Sequence, residues 1–434
     1  QEVIDKYLLP KDFRIISNQG GNLFHHRRKM LDGEVVLLVN SDLNESSKGM
    51  VQLAGTGVVE LNTFSGKVVD YPNSHSCENV KFDYEISPGG HLLVYVFEKE
   101  HRSHQSSPVA TQCEYMMPIS PLKIRPLADN VLVVDFCDLA LADSVYKDIH
   151  IYEADQKVFK HYGFPEGNPW GTAIQYKKNI VERAINDNEG FKLTYHFQFE
   201  NLLHVSTVDW KIVVERADLY SIVINGIEVS NQTNERWIDR DFHVLPLGKY
   251  ICDGDNSLTL SIDPMNLDAE PAPVYVLGDF KLLSAEHGWK IASLSNEIKL
   301  GSWRMQGCPF YSDAITYEQN FQVPYCENAS YEVQLGKWNG TVSEVLVNGI
   351  SAGIIAFKPY VLDVSKLIRP GINQISVKIV GSNKNLFGPF HNQSSIGFVT
   401  PNLYKGTVNY PAGKDYMQFD YGLYEPFLLV SRTK

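Results

Sequence analysis

The chain has 434 residues, a formal net charge of −12, 44% hydrophobic residues and 21% charged residues. At roughly 100–200 residues per domain this length predicts two to four domains, with apolar material for several cores. The acidic balance argues against nucleic acid or an anionic membrane as the main partner. No run approaches the ~18 consecutive apolar residues that cross a bilayer.

Aromatic residues make up 12% of the chain, with 23 Tyr and 21 Phe, and flat rings of this kind favour pleated surfaces. The cysteines are Cys77, Cys113, Cys137, Cys252, Cys308 and Cys326, too far apart for a local CxxC zinc or redox motif. Most are expected to be small buried hydrophobes, with at most one long-range bridge. The sequence singles out no metal ligands and no cofactor. No signal peptide opens the chain, which is compatible with a segment removed before residue 1.

In chain order, the first block opens on Tyr7-Leu8-Leu9-Pro10 and carries short strands at Val35–Val39, Gly57–Leu61 and Leu92–Phe97. Turn chemistry at Asp32-Gly33, Ser65-Gly66 and Pro88-Gly89-Gly90 separates them. A polar stretch from Glu98 to Pro108 reads as a linker. Further on, alternation of period two dominates, as in Tyr195-His196-Phe197-Gln198-Phe199 and Tyr331-Glu332-Val333-Gln334-Leu335, and helical signals are sparse. The expected fold class is all-β: a small antiparallel β-sandwich over 1–112, one jelly roll over 113–285 and a second over 286–434.

The two jelly rolls are expected to be copies of one domain. His243–Asn256 aligns with Tyr360–Asn373 at a constant offset of 117, with six of fourteen positions identical. Each copy runs into an alternating strand and is preceded by a strand ending in Asn-Gly, at Asn225-Gly226 and Asn348-Gly349. A repeat of more than a hundred residues is a duplicated domain, since solenoid periods are roughly 20–50 residues. The repeat also weighs on Asp253-Gly254-Asp255-Asn256, an oxygen-rich run of the kind that binds calcium. Its counterpart Pro370-Gly371-Ile372-Asn373 keeps only the Gly and the Asn, so a turn is the preferred reading. The basic run His25-His26-Arg27-Arg28-Lys29 suits an acidic sugar or phosphate, but charge on an edge strand is the preferred reading.

Several segments resemble a known family. Gly288-Trp289, Trp303–Ser312, Tyr317–Phe321, Val347-Asn348-Gly349, Lys358-Pro359-Tyr360, Pro370–Asn373 and Asn385–His391 occur in the order seen in the galactose-binding-like, sugar-binding jelly rolls of large bacterial glycoside hydrolases. Those are enzymes of family 2 and the C-terminal region of family 106 α-L-rhamnosidases. The first block, with His25–Arg28 and Asp32-Gly33-Glu34, is similar to the sandwich that follows their catalytic barrel. The resemblance departs at Cys308, where an aromatic residue is usual, and at Phe390, where a second His is common.

The resemblance implies a non-catalytic accessory region of a bacterial polysaccharide-degrading enzyme, secreted, periplasmic or at the cell surface, with a catalytic barrel N-terminal to this chain. The rival is a free-standing carbohydrate-binding or surface adhesion protein. Neither GxSxG, HExxH, P-loop nor GxGxxG is present, and no carboxylate pair can be singled out as catalytic. Weak or indirect glycan contact is expected at rings on which sugar C–H faces stack. The candidates are Trp170, Trp338, Trp303 and Tyr311, with Lys358, Tyr360 and His391 as neighbours, each ring having a favoured competing reading as core or interface. Trp210 reads as core. A barrel packed against the lead-in would leave Leu8, Leu9 and Phe13 on an apolar patch, whereas a free-standing protein would tuck them into its own core.

Overall fold

The computed structural model describes residues 13–76, 79–99, 112–171, 180, 189–200, 209–292, 297–326, 329–391, 401–404 and 409–433. The chain is all-β as expected, 51% strand against 8% helix, in antiparallel sheets packed as sandwiches. Alternation accounts for this. The strand Phe191–Glu200 buries every second side chain, and so does Val342–Val347.

The first block is a sandwich of two sheets. One runs Phe13–Gln19, Ser47–Ala54, Asn79–Ile86, Ser74–Ser76; the other runs Leu23–Lys29, Gly33–Asn40, His91–Phe97, Gly57–Leu61, Val68–Asp70. Its core holds Val36, Leu38, Val51, Val80, Phe82 and Val94. The basic run lies on the edge strand Leu23–Lys29, where Arg27 pairs with Glu34 at 2.7 Å and sits over the Phe13 ring. Phe13 is thereby tucked in, 6% exposed, while Ile15, Ile16 and Phe24 beside it stay at the surface. Leu8 and Leu9 lie outside the described residues.

The duplication is visible strand by strand. In the first copy the sheet order is Phe136–Leu141, Phe191–Glu200, Gly254–Ile262, Ser221–Ile224, Ile227–Val229; in the second it is Lys123–Pro126, Ala314–Val323, Gly371–Val380, Val342–Val347, Ile350–Ile355. Gly254 and Gly371 each open the long central strand, with φ of +87° and +102°. Asn225 and Asn348 both sit in the left-handed region, with φ of +49° and +51°. The side chain of Asn256 closes the turn by accepting from Cys252 N (2.9 Å) and Asn225 Nδ2 (2.7 Å) and donating to the carbonyls of Cys252 and Gly254. Asn373 repeats each bond, to Arg369, Asn348 and Gly371. The Asn side chain is therefore fully used by the turn in both copies, which is why it is retained while both carboxylates are dropped.

The order of the copies along the chain differs from a tandem arrangement. Gln112–Met116 pairs with Leu428–Thr433, and Lys123–Pro126 pairs with Ala314–Val323, so both belong to the second jelly roll. The first jelly roll, from Asn130 onward, is inserted between the second strand of its sister and the rest, and a boundary at 113 does not follow the strand pairing. The C-terminal segment returns to the inserted roll, since Leu386, Phe390 and Tyr416 join its core. Two of the five described cysteines, Cys137 and Cys308, are buried; Cys113, Cys252 and Cys326 are exposed, and all five are unbridged, contrary to the expectation that most are buried.

The longer of the two α-helices among the described residues, Ile151–His161, breaks the β pattern. Ile151, Ala154, Val158 and Phe159 form its buried face at helical spacing, Glu153 lies in the first turn and Lys160 and His161 in the last. His150 caps it, its Nδ1 accepting from Tyr152 N at 3.2 Å.

Candidate functional site

The helix places its N-terminal turn at one end of the inserted jelly roll, beside the end of the strand Lys211–Glu215 and the start of Val274–Gly278. These elements and residues Phe387, Pro389, Phe390, His391, Leu403 and Tyr404 border a cavity of about 700 Å³. Its lining combines the rings of Tyr152, Trp170, Phe387, Tyr404 and Tyr275 with the carboxyls of Asp155, Glu215 and Glu270. Neither Lys nor Arg lines it among the described residues.

Asp135 anchors the cavity to the C-terminal segment. It is 2% exposed and accepts hydrogen bonds from His391 Nε2 at 2.7 Å and the Tyr416 hydroxyl at 2.7 Å, with His150 Nε2 at 3.5 Å. These partners hold its carboxyl well below the usual range, outweighing burial, which acts in the opposite sense. Asp135, His150 and His391 are grouped tightly enough to hold a metal. The cap argues for hydrogen bonding instead. A neutral His150 whose Nδ1 accepts a backbone N–H carries its proton on Nε2, the atom that faces Asp135, and a protonated nitrogen does not ligate.

A second acidic group lines the same cavity. Asn168 Nδ2 donates to Asp155 Oδ1 at 2.9 Å and to Glu270 Oε2 at 2.5 Å, bridging the two carboxyls, and Gln156 donates to Asp155 Oδ2 at 3.1 Å. Burial first, and then the charge of Glu270, pushes Asp155 up to about 8. Burial and the neighbouring Glu270, Asp241 and Asp239 push Glu215 up to about 7. Glu270 is also raised, chiefly by burial. Glu215 makes no hydrogen bond or ion pair among the described residues. Tyr275, 3% exposed, likewise leaves its hydroxyl without a partner. The groups that act on that hydroxyl, Glu215, Tyr404 and Asp135, all line the cavity.

Two of the seven sequence candidates meet here. Trp170 is half-buried in the cavity lining, its indole N–H held by the Leu267 carbonyl at 2.9 Å, and His391 belongs to the Asp135 network. Trp338 and Tyr360 meet elsewhere, with ring centroids 5.3 Å apart, in a smaller cavity of about 350 Å³ on the second jelly roll. Trp303 and Tyr311 are core residues, 1% and 2% exposed. Trp303 donates to Tyr317 at 2.8 Å, and the Tyr311 hydroxyl accepts from Leu127 N and donates to the Ala314 carbonyl, so both polar handles are spent internally. Lys358 faces the first block, 3.5 Å from the Leu43 carbonyl, beside the contact of Phe64 with Phe357.

Sequence reasoning missed Asp135, Asp155, Glu215, Glu270 and Tyr275. They come from separate stretches, and no local spacing marks them. The one available signal was Ile151, Ala154, Val158 and Phe159, whose 3.6-residue period places Asp155 on the buried face of a helix.

No family model and no curated protein matches the chain. Among solved structures it is similar to a rhamnosidase from Novosphingobium sp. PP1Y, at 13% identity and a TM-score of 0.44, over 99% of this chain and 26% of that one. It is also similar to an exo-chitosanase from Amycolatopsis orientalis, at 9% identity and a TM-score of 0.24, over 58% of this chain and 29% of that one. A β-D-mannosidase from Dictyoglomus thermophilum gives 10% identity and a TM-score of 0.23, over 58% and 31%. The chain thus spans about a quarter to a third of the length of each.

Proposed function

We propose that this chain is a non-catalytic, carbohydrate-contacting accessory region of a glycoside hydrolase, and that carbohydrate is held in the cavity of the inserted jelly roll. The observation that carries the reading is the mixed lining: the rings of Tyr152, Trp170 and Tyr404 and a set of carboxyl and hydroxyl groups border the same 700 Å³ space. Sugar rings present apolar C–H faces and hydroxyls, which such a lining can stack and bond. The resemblance of the sequence to sugar-binding jelly rolls supports the same reading.

The carboxyl pair supports a binding role over a catalytic one. Glycoside hydrolysis needs two carboxyls roughly 5–10 Å apart with the scissile bond between them. Asp155 and Glu270 are bridged by one amide nitrogen of Asn168, which fills the space a substrate would need.

Calorimetry with glucose, galactose, rhamnose, glucosamine and N-acetylglucosamine tests this reading, alongside an assay of aryl glycosides. Millimolar binding, about −4 kcal/mol, lost in Trp170→Ala and unaccompanied by turnover, is the expected result. Binding unchanged in Trp170→Ala, or hydrolysis that survives repurification, would overturn it.

A further inference from the structure

The cavity's polar groups specify more than a neutral sugar. Asp155, Glu215 and Glu270 line it with no Lys or Arg among the described residues, and Arg216, whose charge acts on Glu215, is engaged by Asp218 at 3.1 Å. The two histidines at its edge are turned toward Asp135. Independently, the Tyr275 hydroxyl is a polar group on a 97% buried side chain (3% exposed) that points into the cavity with no partner. That hydroxyl opens onto the cavity rather than being sealed in the core, so its donor and acceptor are available to an oxygen of a ligand. Glu215, which acts on that hydroxyl, makes no hydrogen bond or ion pair among the described residues.

We propose that the ligand carries a protonated primary amine, held by Glu215 and Glu270, with the Tyr275 hydroxyl bonded to an adjacent oxygen of the ligand. An ammonium brings three donors to a site rich in acceptors and neutralises carboxyls that repel one another. The rings of Tyr152, Trp170 and Tyr404 offer apolar faces for the rest of the ligand. A sugar bearing an unacylated amine suits the rings and the carboxyls alike. This inference rests on the carbohydrate reading of the cavity and names the chemistry of its ligand.

The test is a set of titrations of the full chain at pH 7 with glucosamine, N-acetylglucosamine, glucose, methylammonium and calcium. Glucosamine is expected to bind about tenfold or more tightly than the other two sugars, a difference lost in Glu215→Gln. Tyr275→Phe is expected to weaken glucosamine about tenfold while leaving the melting temperature of the free chain unchanged, because the hydroxyl makes no internal bond. A melting temperature lowered in Tyr275→Phe without change in affinity would make that hydroxyl structural and overturn its assigned role. Equal affinity for the three sugars would overturn the amine and leave the carbohydrate reading standing. Methylammonium binding with no sugar binding would do the reverse. Calcium binding in preference to glucosamine, abolished by Glu215→Gln, would replace the amine with a metal cation, and a chain that binds none of the five would end both readings.

Discussion

The two jelly rolls share a frame and differ at one end of it. Val244 and Val361 are partners in the repeat; in the ladders Val213 lies opposite Val244 and Gln334 opposite Val361. On that register Tyr275, opposite Val213, corresponds to Leu428, opposite Gln334. Two residues further, Glu215 corresponds to Gly336, where a side chain would collide with the Glu425 carboxylate. The inserted copy thus carries polar groups at positions where its sister carries an aliphatic chain or none. Turns and central strands, which fold the domain, are held in common; the end of the sandwich, free of that duty, is where the copies part.

The largest expected effect tests the feature specific to the first copy. Asp135→Asn replaces an acceptor of several bonds with an amide that presents donors to donors. It should cost about 3–5 kcal/mol and release the C-terminal segment, read as new protease sensitivity there. The native Asp135 carboxyl ionises below its ordinary value, so this stabilisation is complete above the unfolded pKa near 4 and fades as pH falls further. Full stability in Asp135→Asn would show that the network is not what joins the segment to the inserted roll.

The shared frame gives the next effect. Asn256→Ala and Asn373→Ala each strip a buried side chain that satisfies four backbone or side-chain groups, and each should cost about 3 kcal/mol in thermal or denaturant unfolding. A severe loss in one and none in the other would break the equivalence of the copies.

Asp155 runs opposite to Asp135. Its native pKa of about 8 lies above the unfolded value, so the folded protein holds a proton that the unfolded chain releases, and stability falls as pH rises from about 4 to 8. Asp155→Asn removes that penalty and should raise stability at pH 8 by about 2 kcal/mol, reducing the pH dependence above 5 to the part carried by Glu215 and Glu270. An unaltered slope would remove Asp155 as its source. The smallest effect returns to the turns. Gly254→Ala and Gly371→Ala meet no neighbouring atom, so each should cost only the left-handed strain of about 1–2 kcal/mol, alike in both copies.

What the sequence revealed follows from how local each constraint is. The repeat was legible because Asn256 and Asn373 close their turns within four residues, and the all-β class because alternation is a property of neighbours. The nesting was hidden: Gln112–Met116 and Lys123–Pro126 are short, and their partners stand about 200 residues or more away. Trp170 was found by residue type, as a ring in a loop-like setting, and His391 through the family-like segment Asn385–His391. Trp303 and Tyr311 misled, since a buried ring and a stacking ring read alike until exposure is known. The carboxyls could not be chosen because their meaning comes from burial and mutual repulsion, which only the folded chain creates.

The most direct test of carbohydrate binding at the inserted roll uses the six tryptophans as reporters. Their indole N–H resonances can be followed while glucosamine is titrated into the full chain at pH 7. The Trp170 signal should shift and saturate while Trp338, in the corresponding region of the sister roll, stays still. A shifting Trp338 with Trp170 unmoved, or six unmoved signals at saturating sugar, would contradict the assignment of the site.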